Sequence, residues 1–207
     1  MRWVYYNIQE IGIMRYFPLM ILCIMSLLCR NSPAEAIVIL KSLELFLPPF
    51  VIFWIIPLFF NYVNAGTREV YLSYPCSRKK QGILRVMLFM LLFDGFLAAA
   101  FFVAVSSWKE YSLYLLILCV QSFFYASLGF LMIVTTKNIV ISIGIILGYV
   151  GLQVLDTSHI FYIISLSFSS VYNRKLDNII LKLIIVFAIS TLLLIYAQRR
   201  FDRLEVV

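Results

Sequence analysis

Few side chains in this sequence could carry out acid–base or metal chemistry, and they are far apart along the chain. Asp94 is a carboxylate in the middle of the apolar stretch LLFDGFLA, and it has no evident catalytic partner. His159 is the single histidine, and a lone histidine without cysteine or acidic neighbours at ligand spacing is more often solvated than metal-bound. We therefore predict no catalytic residue and no metal site in this chain.

The four cysteines and the glycines do not form a recognisable redox or nucleotide motif. Cys23, Cys29, Cys76 and Cys119 show no C-x-x-C spacing and no disulfide framework. Cys23 and Cys119 lie in apolar runs, as expected of small packing residues. The G-x-x-x-x-G-K-S/T pattern of a phosphate-binding loop is absent from the sequence, so we do not expect this chain to bind ATP by that route.

The composition indicates a membrane protein. Hydrophobic residues make up 63% of the chain and charged residues 13%, whereas soluble domains carry about 25% charged residues. The net charge of +7 would suggest nucleic acid in a soluble protein. Here no basic face is separable from the apolar runs, and membrane proteins concentrate Lys and Arg in cytoplasmic loops. We interpret the charge as topology and predict no nucleic-acid partner.

Six apolar segments could form helices that cross a bilayer core about 30 Å thick, at about 1.5 Å per residue. They cover residues 15–29, 36–63, 83–108, 111–134, 139–155 and 178–198. Pro48, Pro49 and Pro57 should bend the second segment. If both termini are cytoplasmic, eleven Lys and Arg residues fall inside and six outside. We predict one all-α domain over residues 1–207, with six transmembrane helices in the plasma membrane, as in a bacterium.

Two further segments are predicted to contact the membrane without crossing it. In residues 1–14, Val4, Ile8 and Ile11 share a helical face, which favours an interfacial helix on the inner leaflet; a frayed terminus is the alternative. Residues 156–177 are too apolar for a free loop and too short to cross and return as full helices. They favour a re-entrant or surface-lying extracellular element.

A polar, turn-rich segment, NYVNAGTREVYLSYPCSRKKQG, separates the second and third apolar segments. Thr67, Tyr71 and Tyr74 recur at the spacing of one helical face. Pro75 should end this helix, because the residue before a proline disfavours helical backbone angles. A helix of about two turns is not stable alone, so it must lie on head groups, on helix ends or in the groove of a cytosolic partner.

This segment resembles the first cytoplasmic loop of ABC type-2 exporter permeases. The family pattern appears here as Asn64, Gly66-Thr67, Glu69, Leu72-Ser73, Pro75 and Ser77-Arg78, and Asn64 departs from the Glu of many members. The resemblance implies that residues 64–80 form a coupling helix that docks on a separate ATPase subunit, which would hold the ATP and Mg²⁺. The resemblance implies that the following residues contact the ATPase subunit: Asn64, Gly66, Thr67, Arg68, Glu69, Val70, Tyr71, Tyr74, Pro75, Ser77 and Arg78.

The resemblance also extends to the predicted architecture of six spans, cytoplasmic termini, a lead-in helix and a membrane-dipping element before the last span. It implies a permease subunit, itself non-catalytic and without a cofactor, that works as a homodimer or as a heterodimer with a similar permease. Small permeases of this type often export peptides, antimicrobial compounds or toxins. A peptide or antimicrobial cargo is therefore an expectation by analogy.

Several residues within the spans are candidates for the translocation path. Phe53, Trp54 and Asp94 are assigned to it as a hypothesis. A carboxylate at the centre of a span costs at least ~2.5 kcal/mol on insertion scales, so Asp94 should face protein or water; a hydrogen-bonded, purely architectural Asp is the alternative. Lys41 and Glu44 are spaced to pair on one helical face, and we expect that pair near the outer surface.

Gly144 and Gly148 in the fifth segment have the small-x-x-x-small spacing that allows close helix packing, and Gly151 follows them. The resemblance implies that the first and fifth spans build the dimer interface. Packing within one subunit is the alternative.

Two other function classes stay open at the level of sequence. An intramembrane protease or lipid-modifying enzyme would need paired acidic, His or Ser groups at membrane depth. A non-transporting sensor subunit would need only the spans. A channel should show a filter-like ring of polar residues, and none is legible.

Overall fold

The structure, a computed structural model, describes residues 9, 11–31, 43–64, 67, 81–104, 108–155 and 176–204. Within those ranges the chain is built from α-helices and short 3-10 turns, with no β-strand. The helices are α1 (Tyr16–Asn31), α2 (Ile52–Val63), α3 (Ile83–Ala104), α4 (Trp108–Thr136), α5 (Ile139–Leu155) and α6 (Leu176–Asp202). The all-α prediction is confirmed for the described part of the chain.

Four helical segments are long and apolar enough to cross a membrane: Leu43–Val63, Ile83–Val103, Leu113–Thr136 and Ile179–Asp202. Two shorter apolar helical segments, Gly12–Ile24 and Ile139–Gln153, belong to α1 and α5. The 17 residues of α5 extend for about 26 Å, somewhat less than a bilayer core of about 30 Å. The structure thus supports four membrane-spanning helices, and the count of six stays a prediction.

Prolines divide the second predicted span. A 3-10 turn at Pro48–Val51 precedes α2, and Pro57 lies inside α2. Proline has no backbone N–H and is tolerated in the first turn of a helix, where that group would lack a partner. The structure places a 3-10 turn in the middle of the predicted segment, and the bend at the prolines stays a prediction.

Helix α4 is the centre of the bundle, because it packs against α2, α3, α5 and α6. Its buried side chains come from most sides of the helix, and include Ile117, Leu118, Phe130 and Val134. A helix that is apolar all round is buried in this way. Helix α2 is buried as well, whereas α1, α3, α5 and α6 leave many large apolar side chains on the outer surface, as expected of helices that face lipid.

The three predicted flanking elements are described only in part. Within the predicted interfacial helix, a 3-10 turn at Gly12–Arg15 leads into α1, and Gly12 has a φ of 63°, which favours glycine. The predicted coupling loop is described at Asn64 and Thr67. The predicted re-entrant element of residues 156–177 lies outside the described residues, except that α6 already begins at Leu176.

Candidate functional site

The start of the predicted coupling loop is a hydrogen-bonded turn at the end of α2. Asn64 caps α2 with an extended backbone, and its N–H donates to the carbonyl oxygen of Phe60 over 2.9 Å. The Thr67 hydroxyl donates to the carbonyl oxygen of Asn61 over 2.8 Å. These bonds keep the departing chain against the helix end. The other predicted contact residues lie outside the described part of the chain: Gly66, Arg68, Glu69, Val70, Tyr71, Tyr74, Pro75, Ser77 and Arg78.

The end of the same loop is fixed by the last helix. The first N–H groups of a helix have no partner within it. The N–H of Ile83, the first residue of α3, donates to the side-chain oxygen of Gln198 on α6 over 2.9 Å. The amide nitrogen of Gln198 in turn donates to Asp202 over 2.6 Å. Asp202 therefore orients the amide so that its oxygen faces α3.

Gly82 makes this capping contact possible. A Cβ atom at position 82 would overlap the side-chain oxygen of Gln198 and would lie 2.8 Å from its Cδ. Real Cβ atoms essentially never approach so closely. A side chain at position 82 would force the Gln198 amide to shift, so the glycine leaves the space through which α6 reaches the backbone of α3.

Arg85 lies two residues into α3, and its side chain is only 1% exposed. Its guanidinium carbon is 5.1 Å from the ring centre of Tyr62 and 5.8 Å from that of Phe59. Such distances are typical of cation–π contacts, which are stronger when the cation is desolvated. Because Tyr62 precedes the loop and Arg85 follows it, this contact joins the two ends of the loop.

Aromatic rings from two further helices complete the surroundings. Phe130 of α4 lies 4.4 Å from Phe59 between ring centres, and Phe201 of α6 lies 5.7 Å from Tyr62. Ring pairs at these separations are favourable beyond the area they bury. We call Phe59, Tyr62, Arg85, Phe130 and Phe201 the loop-base cluster. It holds α2, α3, α4 and α6 together where the loop begins and ends.

Sequence reasoning did not identify this cluster. It treated Arg85 as one of the positive charges that set topology, whereas the structure buries the side chain inside the bundle. The signal in the sequence was an arginine just inside an apolar span, in GILRVML, following a span that ends in the aromatic-rich LFFNYV.

Asp94 has a partner that the sequence did not reveal. The Ser122 hydroxyl of α4 donates to the Asp94 carboxylate of α3. The carboxylate therefore faces protein, as its cost in a bilayer requires. The alternative interpretation, a hydrogen-bonded Asp94 with a purely architectural role, expected such a contact. The contact does not test whether Asp94 also lines the translocation path.

Two more polar contacts involve α4 close to the Asp94 contact. The amide nitrogen of Gln121 donates to Glu44 over 2.8 Å, and Glu44 is buried. The Tyr125 hydroxyl donates to Gln153 of α5 over 3.4 Å. We call these residues, with Asp94 and Ser122, the polar layer. Glu44 was expected to pair with Lys41 near the outer surface of the membrane. Glu44 is buried against α4, Lys41 lies outside the described residues, and their pairing stays a prediction.

The three predicted path residues have different neighbours. Phe53 packs against Phe17 of α1, with ring centres 4.8 Å apart. Trp54 packs edge-to-face on Phe93 of α3 at 5.9 Å. Asp94 is bonded to α4 instead. The three residues thus contact different helices, and their common place in a translocation path stays a prediction.

The glycines of α5 face away from the described part of the subunit. A Cβ atom added at Gly144, Gly148 or Gly151 would meet no atom within 4 Å. No described residue of the same chain packs closely on this glycine face, so the structure gives no support to the alternative of packing within one subunit.

The described residues contain no group of three or more His, Cys, Asp or Glu placed to hold a metal ion. No family model, curated protein or solved structure matches the chain.

The contact between Gly82 and Gln198 makes a testable prediction about stability. Gly82→Ala should displace the Gln198 amide and lower the free energy of unfolding by about 0.5–2 kcal/mol, the usual worth of a helix cap. In a Gln198→Ala background the added methyl group meets no amide, so Gly82→Ala should cost little more. The stability of the native protein, the two single variants and the double variant is measured by thermal unfolding in detergent. Equal losses in both backgrounds would show that the predicted overlap does not matter.

The contact between Arg85 and Tyr62 predicts energetic coupling across the loop. Tyr62→Leu should destabilise the protein by about 0.5–2 kcal/mol through the lost cation–π contact. The same substitution should cost less in an Arg85→Met background, because the cation is then absent. Tyr196→Leu, on an exposed part of α6, is the control and should show no such dependence on Arg85. Additive effects of Tyr62→Leu and Arg85→Met would exclude the coupling.

Proposed function

We propose that this protein is the membrane-spanning subunit of an ABC exporter, driven by a separate ATPase subunit that holds ATP and Mg²⁺. The observation that carries the proposal is the residue pattern from Asn64 to Arg78, which resembles the coupling loop of that family. Its position between two apolar helices agrees with that role. The proposal includes six spans, cytoplasmic termini, the plasma membrane of a bacterium and outward transport of a peptide or antimicrobial compound.

The loop-base cluster supports a coupling role for this loop. A docking helix can transmit motion only if its ends are attached firmly to the helices that must move. Here Tyr62 and Arg85 are in contact across the loop, and Gln198 ties the beginning of α3 to α6. A displacement of the docked loop would therefore act on α2, α3 and α6 together.

The glycine face of α5 supports assembly of two permease subunits. Small residues let helix backbones approach closely in a bilayer, where no hydrophobic force drives helices together. Gly144 and Gly148 offer such a face, and no described residue of the same chain occupies it. The resemblance assigns the fifth span to the dimer interface, which is consistent with this exposure.

An intramembrane enzyme is the weaker alternative, because the hydrogen bonds of Glu44 and Asp94 do not join the two carboxylates. Carboxylates that share a proton lie about 3 Å apart. Glu44 bonds to Gln121 and Asp94 to Ser122, and consecutive residues of a helix do not face the same way. The two carboxylates therefore approach α4 from different sides.

The coupling proposal predicts that Tyr71→Ala combined with Tyr74→Ala reduces binding of the ATPase encoded by a neighbouring gene. The expected loss is about tenfold or more, since buried aromatic anchors carry about 2 kcal/mol or more at interfaces. Stimulation of ATP hydrolysis by the permease should fall in parallel. Co-purification and hydrolysis assays in detergent measure both effects.

Tyr196→Ala, in the exposed part of α6, is the matched control for that experiment and should bind the ATPase normally. Unchanged binding and hydrolysis in the double variant would contradict the coupling assignment. Normal binding without any transport by the native complex would instead favour a sensor subunit.

The dimer proposal predicts that Gly148→Leu lowers the dimer fraction severalfold in the membrane, because the larger side chain keeps the two backbones apart. Photobleaching of single labelled complexes in vesicles counts the subunits. Gly95→Leu on α3 is the control, since a Cβ atom there also meets nothing within 4 Å. Both variants should retain the native unfolding temperature, and an equal effect of the two on dimers would rule out a specific α5 interface.

A further inference from the structure

A cavity of about 410 Å³ lies beside the first helix, between α1, α2 and α3. We call it the lateral groove. Its lining is almost entirely apolar and comes from the residues at the beginning of α1, from one residue of α2 and from one face of α3: Ile11, Tyr16, Leu19, Trp54, Phe89, Leu92 and Phe96. It includes neither Asp94 nor any member of the loop-base cluster.

The inner wall of the groove is a set of mutually packed rings. Trp54 is 5% exposed and stands edge-to-face with Phe89 at 6.2 Å and with Phe96 at 6.1 Å. Edge-to-face contacts at these separations fix the orientation of each ring. The wall is therefore preformed and does not depend on a bound molecule to arrange it.

The opposite side of the groove is open. Tyr16 is 57% exposed and Phe96 46% exposed, and both line the groove. Phe96 belongs to the apolar segment Ile83–Val103, which is long enough to cross a membrane. At that depth the surroundings are lipid hydrocarbon, so the mouth of the groove opens to acyl chains.

The shape and polarity of the groove fit a chain that runs along α3. Phe89 and Phe96 are seven residues apart, so the lining extends for about 10 Å along the helix. Tyr16 is the first residue of α1, and its neighbour Phe17 packs on Phe53, near the middle of the span Leu43–Val63. The groove therefore lies at the depth of the acyl chains and not at the level of the head groups.

We propose that the lateral groove binds one acyl chain of a bilayer phospholipid. An apolar cavity of about 150 Å³ already binds benzene, and ligand pockets are commonly about 300–1,000 Å³. The chain fills the space that the helices leave between α1 and α3. This site is separate from the proposed transport function, and either can fail without the other.

Quenching of tryptophan fluorescence by brominated lipid tests the proposal. Trp3→Phe with Trp108→Phe leaves Trp54 as the single tryptophan, and the protein is reconstituted in phosphatidylcholine vesicles with oleoyl or dibrominated chains. The control has Trp3→Phe, Trp108→Phe and Trp54→Phe together with Phe123→Trp, so that its single tryptophan lies at position 123. Phe123 is 6% exposed and packs on Phe187 of α6, away from the groove. Trp54 should be quenched roughly twofold or more above the control, since a pocket holds its ligand in contact.

Variants that fill the groove separate a bound chain from the surrounding lipid. Leu19→Phe and Leu92→Phe enlarge two lining side chains and should return the quenching of Trp54 towards the control value. Leu181→Phe, on the exposed face of α6, should leave it unchanged. Each variant is first checked for native elution and unfolding temperature, and one folded filling variant is sufficient.

Two results would overturn the proposal. Quenching of Trp54 no greater than that of the control would mean that a second copy of the chain or another segment of it covers the groove. Strong quenching that persists in a folded filling variant would mean that bromine in the surrounding lipid, and not a bound chain, reaches Trp54.

Discussion

A guanidinium group buried among aromatic rings is the constraint on which the loop-bearing end of this bundle depends. A charge in a low-dielectric interior must be compensated by close partners. Around Arg85 the faces of Phe59 and Tyr62 contribute to that compensation. Both rings are on α2, so the end of α2 and the beginning of α3 cannot separate without breaking these contacts to the cation. The contact between Tyr62 and Arg85 thus holds the two ends of the polar loop close together.

The other contacts at this end are arranged around the same point. Phe201 reaches the rings of α2 from α6, and Gln198, one turn earlier on α6, caps α3. Because the two residues are three apart on a helix, they share a face. A single face of α6 therefore covers both the aromatic rings and the start of α3, and Gly82 removes the side chain that would block it.

The sequence predicted the helical class and the apolar segments well, because both follow from local composition and length. The spans around Asp94 and around Pro57 fall where the apolar runs place them. The partners within the bundle were not predictable in the same way. Ser122 is 28 residues from Asp94, and Gln198 is 115 residues from Ile83. Such contacts depend on how helices pack. The burial of Arg85 was not predicted. A positive charge near the end of a span can indicate the cytoplasmic side or can make a buried contact, and only the packing of the helices distinguishes the two.

Helix α4 links the loop-base cluster to the polar layer. Phe130 belongs to the first, while Gln121 and Ser122 belong to the second, and eight or nine residues of helix separate them by about 12–14 Å. A continuous helix of that length moves as a rigid element, so a shift of α4 at the rings would also act on the bonds to Glu44 and Asp94. In a transporter, the same helix would then connect the end that receives force from an ATPase with the polar contacts in the middle of the membrane. Glu44 and Asp94 would need no chemistry of their own in such a transporter, because a shift of α4 would by itself alter their bonds to Gln121 and Ser122.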